Sequence, residues 1–264
     1  MTKKPVLQYY SLGEGVTAFS STRQGGYSEG RYGEFNINRY CSDSEEAIQK
    51  NREALYQLLG IEDHHLLMPH QVHLAEIAVV DHEMLRLSTE EQQQKLDGID
   101  ALMTNEAGVC IGVSTADCIP VLLYDPIQRA SCAIHAGWRG TVQRIAEKAV
   151  ARMTEVFGTD PKNLIAQIGP GIHQESFEVG DEVYDTFEKE GFSMSLISKR
   201  YEKWHIDLPE CNRLQLVAAG IPETQITVSP VCTFQQSDTF FSARKLSINS
   251  GRIFTGILLQ ESNA

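Results

Sequence analysis

Apolar residues recur along the chain in two rhythms, and the change of rhythm marks the change of element. Ala47, Ile48, Ala54, Leu55, Leu58 and Leu59 form one helical stripe. Ser42-Asp43-Ser44-Glu45 reads as a capping box before it and Gly60 as its stop, which predicts a helix over roughly 43–59. A second capping signal, Ser88-Thr89-Glu90-Glu91, opens a short polar helix, and Asp97-Gly98 then turns the chain into a strand at 101–104. Val109, Ile111 and Val113 alternate as a strand, Thr115 to Cys118 interrupts, and Val121 to Tyr124 forms another strand that Asp125-Pro126 ends. A third strand over 130–135 runs into the turn Gly137-Trp138-Arg139-Gly140. After it, Val142, Ile145, Ala146, Ala149, Val150 and Met153 predict one amphipathic helix.

The second half continues in the same mixed fashion. Ile168-Gly169-Pro170-Gly171-Ile172 precedes a helix near 181–190 closed by Gly191, and Asp207-Leu208-Pro209 starts a helix that Gly220 stops. Strands follow at 225–228 and 257–259. Helices and strands intermix without a repeat, a low-complexity tract or a Pro/Ser-rich linker, so one compact α+β unit is expected. Its 264 residues, 42% of them hydrophobic, suffice for a full core.

Charge and cysteine usage narrow the class. A net charge of −12 with no Lys/Arg run argues against nucleic acid, so any anionic substrate must be met by a few placed arginines. No apolar run approaches the roughly 20 residues of a membrane span, and no basic-apolar leader opens the chain. A cytoplasmic protein with no membrane partner is expected. The six cysteines lack C-x-x-C spacing, which disfavours a disulfide framework.

The candidate chemistry lies in three stretches: Gln71-Val72-His73, Thr115-Ala116-Asp117-Cys118, and Ile134-His135-Ala136-Gly137-Trp138-Arg139-Gly140-Thr141. His73, Cys118 and His135 suggest a metal or thiolate site, because imidazole and thiolate suit Zn²⁺ and three protein ligands leave a fourth position open for chemistry. Their spacing matches no short zinc motif, and a lone histidine beside apolar neighbours is an ordinary structural residue. If 70–73 is a strand, His70 and His73 face opposite ways and only one reaches the site. His135, at the end of its strand, sits where ligands bind in α/β architectures. The turn at Gly137 to Thr141 offers N–H groups and Arg139 to an anion, or merely turns the chain with Arg139 in solvent. Arg244 and Arg252 are either anion ligands or surface charges. No G-x-G-x-x-G fingerprint is present, so no dinucleotide is inferred.

Taken in order, Thr22-Arg23-Gln24-Gly25-Gly26, Phe35-Asn36, Gln71-Val72-His73, Asp97-Gly98-Ile99-Asp100-Ala101, Thr115-Ala116-Asp117-Cys118-Ile119-Pro120, His135-Ala136-Gly137-Trp138-Arg139-Gly140-Thr141, Ile168-Gly169-Pro170, Phe177-Glu178-Val179 and Phe241-Ser242-Ala243-Arg244 resemble the bacterial YfiH-like, or laccase-domain, family over nearly the whole chain. The resemblance implies one catalytic domain over 1–264, an α+β layered mixed-sheet sandwich related to deamidating toxins with a Cys/His pair. It implies a zinc ion held by His73, Cys118 and His135. Its activities would be phosphorolysis of adenosine, inosine, guanosine and methylthioadenosine and deamination of adenosine, with purine nucleosides and phosphate as partners. The family is also called polyphenol oxidase and peptidoglycan editing factor. Gly171 and Ala243 depart from the common pattern of a cysteine and an aromatic there, which bears on pocket shape.

Weighed as chemistry, a His₂Cys zinc activates water for attack on adenine C6, while phosphorolysis needs phosphate beside the anomeric carbon. Arg23, Arg139 and Arg244 are the candidate clamp, Arg23 first. Asp117 is a candidate catalytic acid/base or ligand-orienting residue, and Glu178 either a carboxylate behind a ligand or half of a salt bridge. Copper is the alternative ion, since Cu²⁺ shares these donors. A multicopper laccase, however, needs more histidine than the eight present, commonly in H-x-H pairs that this chain lacks. The metal-free alternative makes Cys118 a nucleophile and His135 its base in an amide hydrolase. A non-catalytic interaction module gives no reason for so many ordered polar and glycine-rich blocks. A monomer or homodimer is expected.

Overall fold

Two sheets lie face to face, each with helices on its outer side, in a computed structural model that describes residues 3–261. In chain order the strands are β1 (Leu7–Tyr10), β2 (Val16–Ser21), β3 (Leu66–Leu67), β4 (Ile77–Val79), β5 (Ala101–Thr104), β6 (Cys110–Thr115), β7 (Ile119–Asp125), β8 (Ala130–Ala136), β9 (Ile165–Ile168), β10 (Glu178–Val179), β11 (Ser198–Arg200), β12 (Trp204–Ile206), β13 (Ile226–Val228) and β14 (Ile253–Leu259). One sheet has the order β1-β2-β14-β6-β3 and the other β13-β9-β7-β8-β5-β4. A small third sheet, β10-β12-β11, stands beside them. Most pairings are antiparallel, with parallel pairs at β3/β6, β4/β5 and β9/β13. The architecture is a single-domain α+β fold with mixed sheets.

Period-two alternation explains the layering. In β7, Leu122 and Tyr124 point between the two sheets, where Ile111 and Val113 of β6 and Ile257 and Leu259 of β14 meet them. Its other face carries Ile119, Val121 and Leu123 toward the helix Ile145–Phe157 through Ala146, Val150 and Met153. On the far side, Phe19, Cys110 and Phe254 pack under the helix Glu45–Leu59 through Leu55 and Tyr56. Every residue of β6, β7 and β8 is buried. Each large apolar side chain on them contributes roughly 1.5–3 kcal/mol over leaving it in water, so the two central hairpin strands form a rigid base for whatever their ends carry.

Local signals place most helix ends where the sequence expects them. Gly60 closes the first long helix at φ 69° as expected, but the cap is Ser44, two residues after the expected opening at Ser42, accepting from Ala47 N. Ser88 and Glu91 form the complete reciprocal box. The expected amphipathic helix after Gly137 differs: it is two helices, Trp138–Val142 and Ile145–Phe157, separated at Arg144, which adopts a left-handed φ of 61°. The break lets the first turn sit against the end of β8 while the second helix lies along the sheet.

Candidate metal centre and its cleft

Three separate connections converge beside the ends of β7 and β8. Cys118 immediately precedes β7 and His135 is the penultimate residue of β8, and the register sets Pro120 opposite His135 and Ile119 opposite Ala136. His73 arrives from the loop between β3 and β4. The ligand atoms of His73, Cys118 and His135 all lie within 4.8 Å of one another, and the two imidazoles meet edge to face at 4.7 Å. Burial falls across the set: His135 is buried, Cys118 half-buried and His73 exposed. The open side therefore faces His73 and the solvent.

Backbone conformation aims these side chains. His73 has φ 64° and Asp117 φ 86°, unusual values for residues with a Cβ, of the kind held where the surroundings over-determine them. The stretch 70–73, weighed as a strand, is instead an irregular loop whose left-handed residue is His73. His70 does not join the set; its Nδ1 bonds Asp97 at 2.6 Å and its ring stacks on Tyr40. Gln71 clamps the loop to β6: its amide nitrogen donates to the Ser114 carbonyl and its oxygen accepts from Ser114 N, both at 2.8 Å. A side chain at Gly137 would crowd the donors. A Cβ there would stand 3.0 Å from His73 Cδ2 and 3.1 Å from Cys118 Sγ.

Asp100 is the residue that the sequence reading quoted without giving it a role. Fully buried, it accepts from His73 N at 3.0 Å and Leu74 N at 2.8 Å, and it meets His135 Nδ1 at 2.7 Å. With Nδ1–H given to Asp100, His135 Nε2 is the free lone pair, the arrangement in which a carboxylate fixes the tautomer of a ligating imidazole. The signal was a carboxylate placed directly before the all-buried β5. Burial works against ionising Cys118, yet His135 and His73 outweigh it and bring the thiol down to about 6. Burial likewise opposes charge on His135, and the Cys118 sulfur and Asp100 reverse that and raise it. For Asp100 itself, burial is outweighed by His135 and the two backbone N–H groups, which lower it.

The cleft above the centre has a volume of about 160 Å³. Besides the three donors, Asn38, Tyr40, Gln71, Thr115, Ile248 and Arg252 line it. Thr115 Oγ1 is buried there without a protein partner among the described residues. The wall is otherwise partly apolar, with Tyr40 and Ile248 exposed at the mouth.

The expected phosphate clamp is not assembled here, for none of Arg23, Arg139 and Arg244 lines this cleft. Arg23 donates to the carbonyls of Gly33 and Ser237 at 2.9 and 2.7 Å and lies over Phe241. Arg139 lies over Trp138, and Arg244 donates to the Glu178 carbonyl at 3.1 Å beside Phe177. Asp117 does not orient a ligand histidine. Its carboxylate accepts from Thr233 Oγ1 and Arg244 N, both at 2.7 Å, tying the Cys118 turn to the C-terminal segments. Glu178 resolves as an exposed salt bridge to Lys203.

Three kinds of comparison with known proteins find matches. The family model described as "Multi-copper polyphenol oxidoreductase laccase" matches residues 17–260. A purine nucleoside phosphorylase of Bacteroides thetaiotaomicron is 44% identical over 263 residues, covering 98% of this chain and 97% of the relative. Adenosine deaminase RL5 of an unknown prokaryotic organism is 44% identical over 249 residues, covering 92% and 94%. Among solved structures, YlmD from Geobacillus stearothermophilus matches with a TM-score of 0.87 at 30% identity, over 96% of this chain and 94% of that one. No helix among the described residues is long and apolar enough to cross a membrane.

Proposed function

The chain belongs to the multi-copper polyphenol oxidoreductase laccase family, whose members similar to it are named as purine nucleoside phosphorylases and an adenosine deaminase, and from that membership we propose a metal-dependent purine-nucleoside enzyme. Its reactions are phosphorolysis of nucleosides such as adenosine, inosine, guanosine and methylthioadenosine, and deamination of adenosine. The observation that carries this reading is the set of two imidazoles and one sulfur within 4.8 Å, backed by Asp100 on His135.

The donor set suits zinc, and copper shares the same donors. His73, Cys118 and His135 would hold the ion, and a zinc ion there supplies a Lewis acid that brings the pKa of water down to about 7. A single group of this kind among the described residues supports one ion rather than the several coppers of a laccase. Asp100 keeps His135 in the tautomer whose Nε2 faces the centre. Tyr40 and Ile248 offer an apolar wall for a purine, and the Thr115 hydroxyl awaits a polar atom of the substrate. In phosphorolysis the C1′–N9 bond breaks, its electron pair leaves on the purine, which takes up a proton, and a phosphate oxygen bonds to C1′. In deamination a water oxygen adds at C6 and ammonia leaves.

A second reading is favoured by one observation, the thiol of Cys118 held at about 6 beside His135. That pair also describes a metal-free nucleophile and base. One experiment separates the two. Protein of known metal content is incubated with adenosine, with and without phosphate, and adenine, inosine and hypoxanthine are resolved, before and after chelation and before and after iodoacetamide treatment of the chelated protein. Phosphate-dependent adenine release and inosine formation, both abolished by chelation and restored by zinc, are expected. Base release indifferent to phosphate excludes phosphorolysis; activity that survives chelation but not alkylation replaces the metal enzyme with the hydrolase.

A further inference from the structure

Next to the cleft lies a second cavity of about 60 Å³, sharing Tyr40 with it. Its polar wall is made chiefly by Arg39, Arg52, Tyr56, Thr89 and Gln93. Arg52, on the helix Glu45–Leu59, is only 6% exposed. Its Nε donates to the Tyr56 hydroxyl at 2.7 Å, and Nη2 reaches the Leu66 carbonyl at 3.4 Å. Among the described residues, those two contacts leave the rest of its five N–H donors without a protein acceptor. Among the described residues neither Arg39 nor Arg52 has a carboxylate at ion-pair distance. Asp63, the one carboxylate on the wall, turns instead to His64, accepting from its backbone N at 2.8 Å.

That pairing pattern calls for a ligand. The chain carries 35 acidic residues against 23 basic ones, so partners for a buried cation are plentiful. Burying a guanidinium without a counter-ion costs stability that its hydrogen bonds to neutral groups offset only in part. A second arginine facing the same space adds to the cost, unless an anion enters. Size restricts which anion. At about 10–15 Å³ per water position, the cavity holds the equivalent of a few waters, enough for one tetrahedral oxyanion and too little for a nucleoside.

The cleft has a matching gap, because phosphorolysis consumes phosphate and the cleft's own arginine is engaged. Arg252 gives its guanidinium to the carbonyls of Ser250, Gly251 and Ile248. We propose that the Arg39–Arg52 cavity is an oxyanion site that holds inorganic phosphate beside the nucleoside cleft. The assignment of that phosphate as co-substrate rests on the phosphorolysis reading. Arg52 supplies the fixed, desolvated charge, Arg39 the charge at the entrance, and Tyr56 and Thr89 hydroxyl donors. Tyr40 borders both cavities, which sets the oxyanion site directly beside the cleft.

The test uses the whole protein and inorganic phosphate as the probe, comparing the parent with Arg52→Met and Arg39→Gln. Phosphate affinity is measured by calorimetric titration against a chloride control, and the phosphate KM of adenine release is measured separately. Loss of a charge-assisted contact is expected to weaken phosphate by about tenfold or more in Arg52→Met and by several-fold in Arg39→Gln, with the KM for adenosine within about twofold of the parent. An arginine kept only for packing would lower the melting temperature of Arg52→Met and leave phosphate affinity where it was. Should Arg52→Met not fold, the exposed Arg39→Gln decides: unchanged phosphate affinity overturns the proposal. If phosphate binds the parent and not the variants while no nucleoside is cleaved, the oxyanion site stands and the activity reading falls. If adenine release depends on phosphate with one KM in all three proteins, the activity stands and the site falls.

Discussion

Gly137 has no side chain to offer the site, yet three site side chains surround the space where its Cβ would be. Its own φ of −67° suits any residue, so the constraint is steric and not conformational. Gly137→Ala is therefore expected to fold with a melting temperature close to the parent's while binding zinc about tenfold or more weaker, as for disturbance of a ligand shell. Competition with a chromogenic chelator reads this directly; parental affinity in the variant would mean that His73 and Cys118 have slack to give. Asp100 acts at the same scale by a different route. One buried carboxylate serves three backbone N–H groups of the His73 loop and the ring of His135, so the two imidazoles share one anchor.

At the scale of elements, the helix Leu208–Ala218 packs on the sheet opposite the cleft, and Asp207 caps it by accepting from Glu210 N at 2.9 Å. Burial raises the Asp207 pKa; the Glu210 N–H and His173 lower it, and the charges of Glu210 and Glu175 raise it, leaving it above the usual carboxylate value. A raised carboxyl pKa means that the folded state holds the proton more tightly than the unfolded chain. Its contribution to stability is then present below the unfolded value and lost as pH rises through the folded one. Asp207→Asn keeps the acceptor for the cap without the ionisation, so its melting temperature should gain on the parent's between about pH 4 and pH 7. Asp207→Ala loses the cap and should cost about 1 kcal/mol at either pH. Thermal melts of the three proteins at both pH values check this, and an Asn variant that falls behind the parent as pH rises contradicts it.

For the molecule as a whole, the centre draws its three donors from three separate stretches of the chain. The His73 loop belongs to the edge between β3 and β4, Cys118 to the crossing from one sheet to the other, and His135 to the middle of the six-stranded sheet. An ion bound by all three binds the native state and not the unfolded chain, so it stabilises by mass action. With free zinc at about 100 times its dissociation constant, that is roughly 2.7 kcal/mol, which for a chain of this size corresponds to about 5–10 °C in melting temperature. Chelation should lower the melting temperature by that amount and zinc should restore it. A melting curve indifferent to both would show that the three side chains do not share an ion.

The sequence alone determined many of the elements and the metal donors. Periodicity and caps act within a few residues, which is why Ser88, Asp207 and Gly60 could be read as boundaries, and why the buried hairpin β7–β8 was legible from its apolar runs. Residue types likewise nominated His73, Cys118 and His135, because few side chains hold such an ion. What only the tertiary structure decided was the company each charge keeps. Arg23, Arg139 and Arg244 have the right chemistry for phosphate, but carbonyls from distant segments take up Arg23 and Arg244 and the neighbouring Trp138 ring takes up Arg139. Asp117 sits next to Cys118 in sequence and serves Thr233 and Arg244, whereas Asp100, 35 residues from His135, holds its ring. Helix caps and strand alternation are local and leave local marks; hydrogen-bond partners and burial are set by how sheets stack, and nothing in the order of residues reports that stacking directly.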